Sequence, residues 1–226
     1  MHGRSWVGGH GPCDAPLACA GVPRRALVEA SDELAGRDPR LAAVVAEVGP
    51  CDIRRGKRTH FAELLRAICY QQLAGAAARA IHGRVEALYG GAPTPEAVLA
   101  TPDDALRGAG LSANKLASIR DLATRVAAGE VRLDRLGRLP DAEIVRELTL
   151  VRGIGRWTAE MFLIFQLGRL DVWPVDDFGV RKGYARIYGL PEMPPPKALE
   201  PLGDVFRPYR SVAAWYCWRA TAIVTL

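Results

Sequence analysis

The 226-residue sequence lacks several features that would indicate a metal protein or a membrane protein. Its five cysteines contain no CxxC pair and no late cluster, which argues against a zinc site or an iron-sulfur cluster. The four histidines show no ligand spacing, so they receive no catalytic or metal-binding role. No apolar run reaches the roughly 20 residues of a membrane span, and no signal-peptide pattern opens the chain. These absences predict a cytoplasmic or otherwise intracellular protein without a membrane partner.

The composition is that of a chain with a substantial apolar core and a small excess of positive charge. Apolar residues make up 49% of the sequence, enough to build a core in one large domain or two small lobes. Lysine and arginine number 30 against 25 acidic residues, a net charge of +5. This excess mildly favours a polyanionic partner.

The chain shows helical periodicity almost throughout and no alternating strand pattern. Residues 1–22 are rich in glycine, proline, cysteine and alanine without a period, and we expect a loose arm there. The sequence therefore predicts an all-α fold. The predicted helices cover residues 24–36, 39–48, 59–70, 74–89, 102–108, 114–128, 141–150, 158–168, 178–188, 197–204 and 208–226.

Two glycines separate two of these helices in the stretch VRGIGRW, residues 151–157. Gly153 and Gly155 permit backbone dihedrals and close approaches that a side chain would block, so the chain can reverse in a very short loop. One interpretation is a plain corner between helices with Ile154 in the core. The other is a binding surface at the start of the second helix.

The chemistry around the turn favours the binding surface. The N–H groups of Gly153, Gly155 and the following turn are expected to point outward with the positive end of the helix dipole, which suits a phosphate. Arg152 and Arg156 flank the turn, and Thr158 adds a hydroxyl. A phosphodiester would meet backbone donors and positive charge without its base sequence being read.

Four stretches together resemble a known family, the helix-hairpin-helix DNA glycosylases, and within it the alkylpurine or 3-methyladenine DNA glycosylase II (AlkA-like) group. The resemblance covers about residue 24 to the end. The stretches are LVRGIGRWTA at 150–159, WPVDDFGVRKG at 173–183, AICYQQLAGAA at 67–77 and RPYRSVAAWYCWRA at 207–220.

This resemblance implies a two-lobed helical fold with a cleft between the lobes, and no additional N-terminal β-sheet domain. The glycosylase domain is expected to span residues 23–226, with the hairpin at 141–168. One lobe would contain about 59–175, and the other 23–58 together with 176–226.

The resemblance also implies a catalytic carboxylate just before the helix predicted at 178–188. Breaking the bond between sugar C1′ and a base nitrogen builds positive charge on the sugar, which an ionised carboxylate stabilises. By the family pattern Asp177 is the catalytic residue, and Asp176 is the second choice or the helix cap. On general grounds either aspartate could simply be an N-cap.

Trp157 stands where the lyase-competent branches of the superfamily carry a lysine that attacks C1′. The implied reaction is monofunctional: water replaces the base, and an abasic site remains without a strand break. Trp157 and Trp218 would line a base pocket, in which cationic alkylated purines stack well on indole. Met161 occupies a pocket position where some members have tyrosine. Trp173 and Trp215 are interpreted as core residues.

Further roles follow from the family pattern. Leu73, with Gln72 beside it, is the expected wedge that fills the gap left by a flipped base. Arg181 and Lys182 are phosphate candidates because they lie close to the predicted carboxylate. The basic run at 54–58 could touch DNA, but a charge run before a helix is usually a solvated surface.

The family implies no required cofactor and no iron-sulfur cluster. It does imply a position for a sodium or potassium ion on the backbone carbonyls of Thr149, Val151 and Ile154.

The sequence thus predicts a monomeric, monofunctional DNA glycosylase that acts on double-stranded DNA containing alkylated purines of the 3-methyladenine and 7-methylguanine type. Two alternatives stay open. One is a glycosylase for deaminated or oxidised bases, and the other is a non-catalytic DNA-binding protein that has kept the hairpin.

Overall fold

The computed structural model describes residues 22–73 and 75–223, in which twelve α-helices and no strands occur. The predicted all-α class is confirmed. None of the helices in these two ranges has the length and apolarity to cross a membrane. The predicted arm lies outside the described residues, apart from Val22. The helices are α1 (Arg24–Arg37), α2 (Pro39–Val48), α3 (His60–Tyr70), α4 (Gly75–Ala87), α5 (Pro95–Ala100), α6 (Asp103–Gly108), α7 (Ala113–Ala127), α8 (Asp141–Leu148), α9 (Arg156–Phe162), α10 (Phe178–Tyr188), α11 (Pro196–Leu202) and α12 (Arg210–Ala220).

Most predicted helices are present with ends shifted by one or a few residues. The sequence prediction missed α5, a six-residue helix in which Glu96 is the one polar side chain, so no polar face marks a helical period. Thr94 caps this helix by accepting a hydrogen bond from the Ala97 N–H at 3.2 Å. The helix predicted at 158–168 instead starts at Arg156 and continues beyond α9 as a π-helical segment, Leu163–Leu167.

The helices pack in two groups joined by a continuous apolar core. In the first group α12 contacts α1, α2 and α10. In the second group α3 contacts α4, α7 and α9, while α5 and α6 pack on α7, and α8 on α9. Trp173 lies in the core, as predicted, and its Nε1–H donates to the Leu199 carbonyl at 3.0 Å. The site residues described below lie on α3, α9, α10 and α12 and on the segments beside these helices.

Helices α10 and α12 approach each other without an intervening side chain. A Cβ atom built on Gly183 would overlap the carbonyl oxygen and Cα of Cys217. A Cβ on Gly179, one turn earlier, would lie 2.7 Å from Cδ1 of Trp218. Both glycines therefore allow a helix contact that any larger residue would push apart.

We expect Gly183→Ala to lower the free energy of unfolding by about 3 kcal/mol or more, because the added methyl group meets backbone that cannot move aside. Urea unfolding followed by circular dichroism measures the change. Gly83→Ala in α4 is the matched control. Since a Cβ there meets nothing within 4 Å, it should raise stability by up to about 1 kcal/mol. Equal effects at both positions would contradict the close packing described above.

Candidate active site

The Asp177 carboxylate is held by three N–H donors at the start of α10. Its Oδ1 accepts from the Val180 backbone N–H at 2.8 Å and from Trp218 Nε1 at 2.8 Å. Its Oδ2 accepts from Trp157 Nε1 at 2.8 Å. The prediction that Asp176 caps the helix is wrong, because Asp177 is itself the N-cap. Asp176 is exposed beside it.

The two tryptophans reach this carboxylate from different helices. Trp157 lies in the first turn of α9 with 44% of its surface exposed, and Trp218 lies near the end of α12. Phe165, in the π-helical segment, stacks on Trp218 with the ring centroids 5.6 Å apart. The structure therefore brings together three of the residues that the sequence analysis assigned to one site, and it adds Phe165.

A cavity of about 860 Å³ opens beside Trp157, between α3 and α9. Trp157 and Met161, which were predicted for the base pocket, both line this cavity, whereas Trp218 and Asp177 do not. Trp157 thus belongs to both features, because its ring forms part of the cavity wall and its N–H donates to the Asp177 carboxylate. The remaining lining includes Tyr70, Gln71, Gln72, Gly153, Thr158, Phe162, Phe165, Gln166 and charged residues at one end, Arg54, Arg58, Glu63 and Arg66.

The glycine hairpin is tightly supported from α7 and from the end of α3. Gly153 has a positive φ of 77°, and a Cβ on it would lie 2.6 Å from Ser118 Oγ. The Gly153 carbonyl accepts from Gln71 Nε2 at 2.8 Å, and the Arg152 N–H donates to Asp121 Oδ2 at 2.7 Å. Ile154 is buried. The turn is therefore both a packed corner and a fixed platform for the start of α9.

The predicted phosphate-binding residues of the hairpin are placed differently from one another. Gly155 is exposed at the N-cap of α9, and Arg152 is exposed beside it. The Arg156 side chain is 55% exposed and donates to the buried Glu160 carboxylate at 2.8 Å. Burial raises the pKa of Glu160, and the bond from Arg156 opposes that shift. Thr158 is only 7% exposed and lines the cavity, which argues against its predicted phosphate contact.

The two basic residues on α10 also differ. Arg181 is half-buried, and its Nε donates to the Pro194 carbonyl at 2.8 Å, so part of its guanidinium holds the loop before α11. Lys182 is exposed. A phosphate contact is therefore better supported for Lys182 than for Arg181.

The predicted wedge lies in the turn between α3 and α4. Gln72 has a left-handed backbone with φ of 55°, uncommon for a residue other than glycine, and Leu73 beside it is 39% exposed. Gln71, which follows α3, donates to the Gly153 carbonyl, and Lys115 Nζ donates to the Cys69 carbonyl in the last turn of α3 at 2.7 Å. The end of α3 is therefore held in place, and Leu73 is exposed to solvent and not folded into the core.

Thiol chemistry and side-chain metal chemistry find no support at this site. Burial raises the pKa of Cys51 and of Cys69 to about 12, so both are protonated thiols at neutral pH. Among residues 22–73 and 75–223, no cluster of three His, Cys, Asp or Glu side chains is arranged to hold a metal ion.

Several supporting residues could not be identified from the sequence. Gln71, Ser118 and Asp121 act on the hairpin from positions more than 30 residues away, and no local pattern marks them. Phe165 falls at an apolar helix position that is typical of a core residue. The π-helical turn alone brings it outward, with 36% of its surface exposed.

Comparison with known proteins places this arrangement in a family. Residues 65–208 match the HhH-GPD superfamily base excision DNA repair proteins. The DNA-3-methyladenine glycosylase 1 of Schizosaccharomyces pombe is 35% identical over 202 residues, 87% of this chain and 89% of that protein.

Two solved structures are similar in sequence and fold. The S. pombe 3-methyladenine DNA glycosylase in complex with abasic DNA is 34% identical with a TM-score of 0.78, covering 87% of this chain and 98% of that one. A DNA-3-methyladenine glycosidase of Bacillus halodurans is 36% identical with a TM-score of 0.77, covering 88% of this chain and 89% of that one. With its hairpin, its aspartate-capped α10 and these relatives, the chain belongs to the HhH-GPD superfamily of base excision DNA repair proteins.

Proposed function

We propose that this protein is a monofunctional DNA glycosylase that flips alkylated purines out of double-stranded DNA and hydrolyses their bond to the sugar. The observation that carries the proposal is the Asp177 carboxylate, held by the N–H groups of Trp157, Trp218 and Val180 beside a cavity of about 860 Å³. Relatives named 3-methyladenine glycosylases support the substrate class.

In the proposed reaction the bond between C1′ and the base nitrogen breaks, and its electron pair leaves with the base. The sugar becomes positively charged, and the fixed negative charge of Asp177 stabilises it. Water then adds to C1′ and loses a proton. Because the three donors fix the carboxylate before substrate arrives, little reorganisation is needed during the reaction.

The indole of Trp157 in the cavity wall suits a base that already carries a positive charge. A purine methylated at N3 of adenine or N7 of guanine is cationic, and it is attracted to the face of an indole. Such a base leaves as a neutral molecule and needs little protonation. One carboxylate is therefore sufficient, and Met161 adds an apolar surface that adapts to base shape.

Trp157 supports hydrolysis without strand cleavage. A lyase reaction needs an amine that attacks C1′ and forms a Schiff base. At the hairpin position where the lyase-competent branches carry lysine, this chain has an indole, and its N–H is bonded to Asp177. Water is then the nucleophile.

A monovalent cation fits the hairpin. The Val151 carbonyl accepts the Ile154 N–H at 3.0 Å, which leaves it a lone pair. Within the described ranges, no backbone hydrogen bond to the carbonyls of Thr149 or Ile154 is seen. These three oxygens would hold sodium or potassium, which would favour a nearby phosphate.

Asp177→Asn should reduce single-turnover base release from methylated duplex by about 10²- to 10³-fold or more, because the transition state loses its negative charge. Asparagine still caps the helix, so DNA affinity should stay within about twofold. Asp176→Asn is the control and should be nearly neutral, since Asp176 is exposed and contacts neither indole. If Asp176→Asn is the variant that loses activity, the assignment is reversed; if the wild type releases no base from any lesion duplex, a binding protein is indicated.

Incubation of the wild-type protein with methylated duplex should release free 3-methyladenine and leave strands that break only after alkali treatment. Borohydride should trap no covalent protein–DNA adduct, because no Schiff base forms. Nicking without alkali, or a trapped adduct, would contradict the monofunctional reaction. Release of deaminated or oxidised bases with methylated purines left intact would assign another substrate class.

Leu73→Ala should slow base release from paired lesions by about tenfold, because the gap left by the flipped base is no longer filled. Single-stranded substrate needs no wedge and should be cleaved at the wild-type rate. Leu99→Ala, at a leucine of similar exposure on α5, controls for loss of an exposed apolar side chain. Equal slowing on paired and single-stranded DNA would argue against a wedge.

A further inference from the structure

A basic segment, residues 54–58, borders the proposed base cavity, which the hairpin residue Gly153 also lines. Its sequence Arg-Arg-Gly-Lys-Arg contains four cations and no carboxylate. Arg54 and Arg58 line the same cavity as Gly153 and Trp157. A second cavity of about 760 Å³ adjoins the segment and is also lined by Arg54, Lys57 and Arg58. The segment therefore forms a positively charged ridge between two openings.

The backbone of this ridge is fixed to the π-helical segment. The Gly56 N–H donates to the Phe165 carbonyl at 2.8 Å, and Arg55 Nε donates to the Gln166 carbonyl at 2.6 Å. In return, Gln166 Nε2 donates to the Arg58 carbonyl at 2.8 Å. A Cβ on Gly56 would overlap Oε1 of the Gln166 amide, so a larger residue here would displace that side chain. The backbone that carries the charged side chains of the ridge is thus held in a defined position, unlike that of a flexible charged loop.

The positive charge of the ridge is only partly neutralised by the protein. Arg54 pairs with Asp52 at 2.8 Å, but the side chains are 83% and 60% exposed, and such pairs are weak. Arg58 lies 3.4 Å from Glu86 and 4.0 Å from Glu63.

Lys57 is exposed, and within residues 22–73 and 75–223 it has no carboxylate in ion-pair range. A polyanion can therefore compete for all three side chains.

We propose that Arg54, Lys57 and Arg58 bind the phosphodiester backbone of the DNA whose damaged nucleotide occupies the cavity, as a second phosphate-binding surface in addition to the hairpin. DNA as the polyanion rests on the proposed function. A strand held at the hairpin, with one nucleotide turned into the cavity, continues past the cavity mouth. The ridge supplies cations there, and because its backbone is fixed, the contact costs little ordering.

The triple variant Arg54→Gln, Lys57→Gln, Arg58→Gln tests the surface. Binding to a duplex that contains an abasic-site analogue is measured by fluorescence anisotropy over salt concentrations from about 50 to about 200 mM. Each lost phosphate contact should lower the slope of log affinity against log salt by about 0.9, and should weaken binding on the order of fivefold near physiological salt. An unchanged slope in the folded triple variant would overturn the proposal.

The matched control is Arg132→Gln, Arg135→Gln, Arg138→Gln. These arginines are exposed in the segment that precedes α8, and they line neither cavity. Arg132 forms an ion pair at 3.1 Å with Asp134, two residues away, just as Arg54 pairs with Asp52. The net charge of both triple variants is the same. Equal losses of affinity and of salt slope in the two triple variants would show a general effect of net charge, and would also overturn the proposed surface.

Lys57→Glu decides the question if the triple variant does not fold, because Lys57 has no ion pair to lose in the described structure. Weaker binding with a lower salt slope supports the surface, and unchanged binding overturns it. Base release by the wild type is measured separately. Absence of base release together with a lowered slope would refute the glycosylase and leave the surface standing, whereas normal release with an unchanged slope would refute only the surface.

Discussion

Helices α10 and α12 meet so closely that the Cys217 carbonyl lies where a side chain at position 183 would be. Asp177 caps the first of these helices, and Trp218 follows Cys217 on the second. The contact therefore sets how far the indole of Trp218 lies from the carboxylate, and the 2.8 Å hydrogen bond depends on it. Because side chains in a close-packed interior have little free space, a shift of either helix would also move the indole of Trp218 relative to the Asp177 carboxylate.

The hairpin is supported by a second set of contacts, from helices of the other group. Ser118 and Asp121 on α7 lie beneath Gly153 and Arg152, and Gln71 reaches the Gly153 carbonyl from the end of α3. These contacts place the first turn of α9, and thereby Trp157. The Trp157 N–H then joins the two helix groups at Asp177. The site thus lies where the two groups of helices meet, and each group holds its own part of the site through its own contacts.

Local patterns in the sequence were sufficient for much of this structure and insufficient for the rest. The helical period identified most helices, and the aspartate pair before α10 and the glycine hairpin marked the site. Helix α5 has almost no polar face, so no helical period marks it, which is why α5 was missed. The choice of cap between Asp176 and Asp177 depended on the folded backbone, because it is Asp177 that accepts the Val180 N–H.

The partners of the hairpin could not be found for a different reason. Gln71 and Gly153 are 82 residues apart, and the pairing of an amide with a backbone carbonyl leaves no repeated spacing in the chain. The same bond has a geometric consequence. If the proposed function holds, the Gln71 side chain fixes the distance between the phosphate-binding hairpin and Leu73, the leucine that enters the base stack. Such a link would keep the leucine at a constant distance from the phosphate that the hairpin binds. Each nucleotide would therefore be probed at the same position relative to that phosphate, whatever the base sequence.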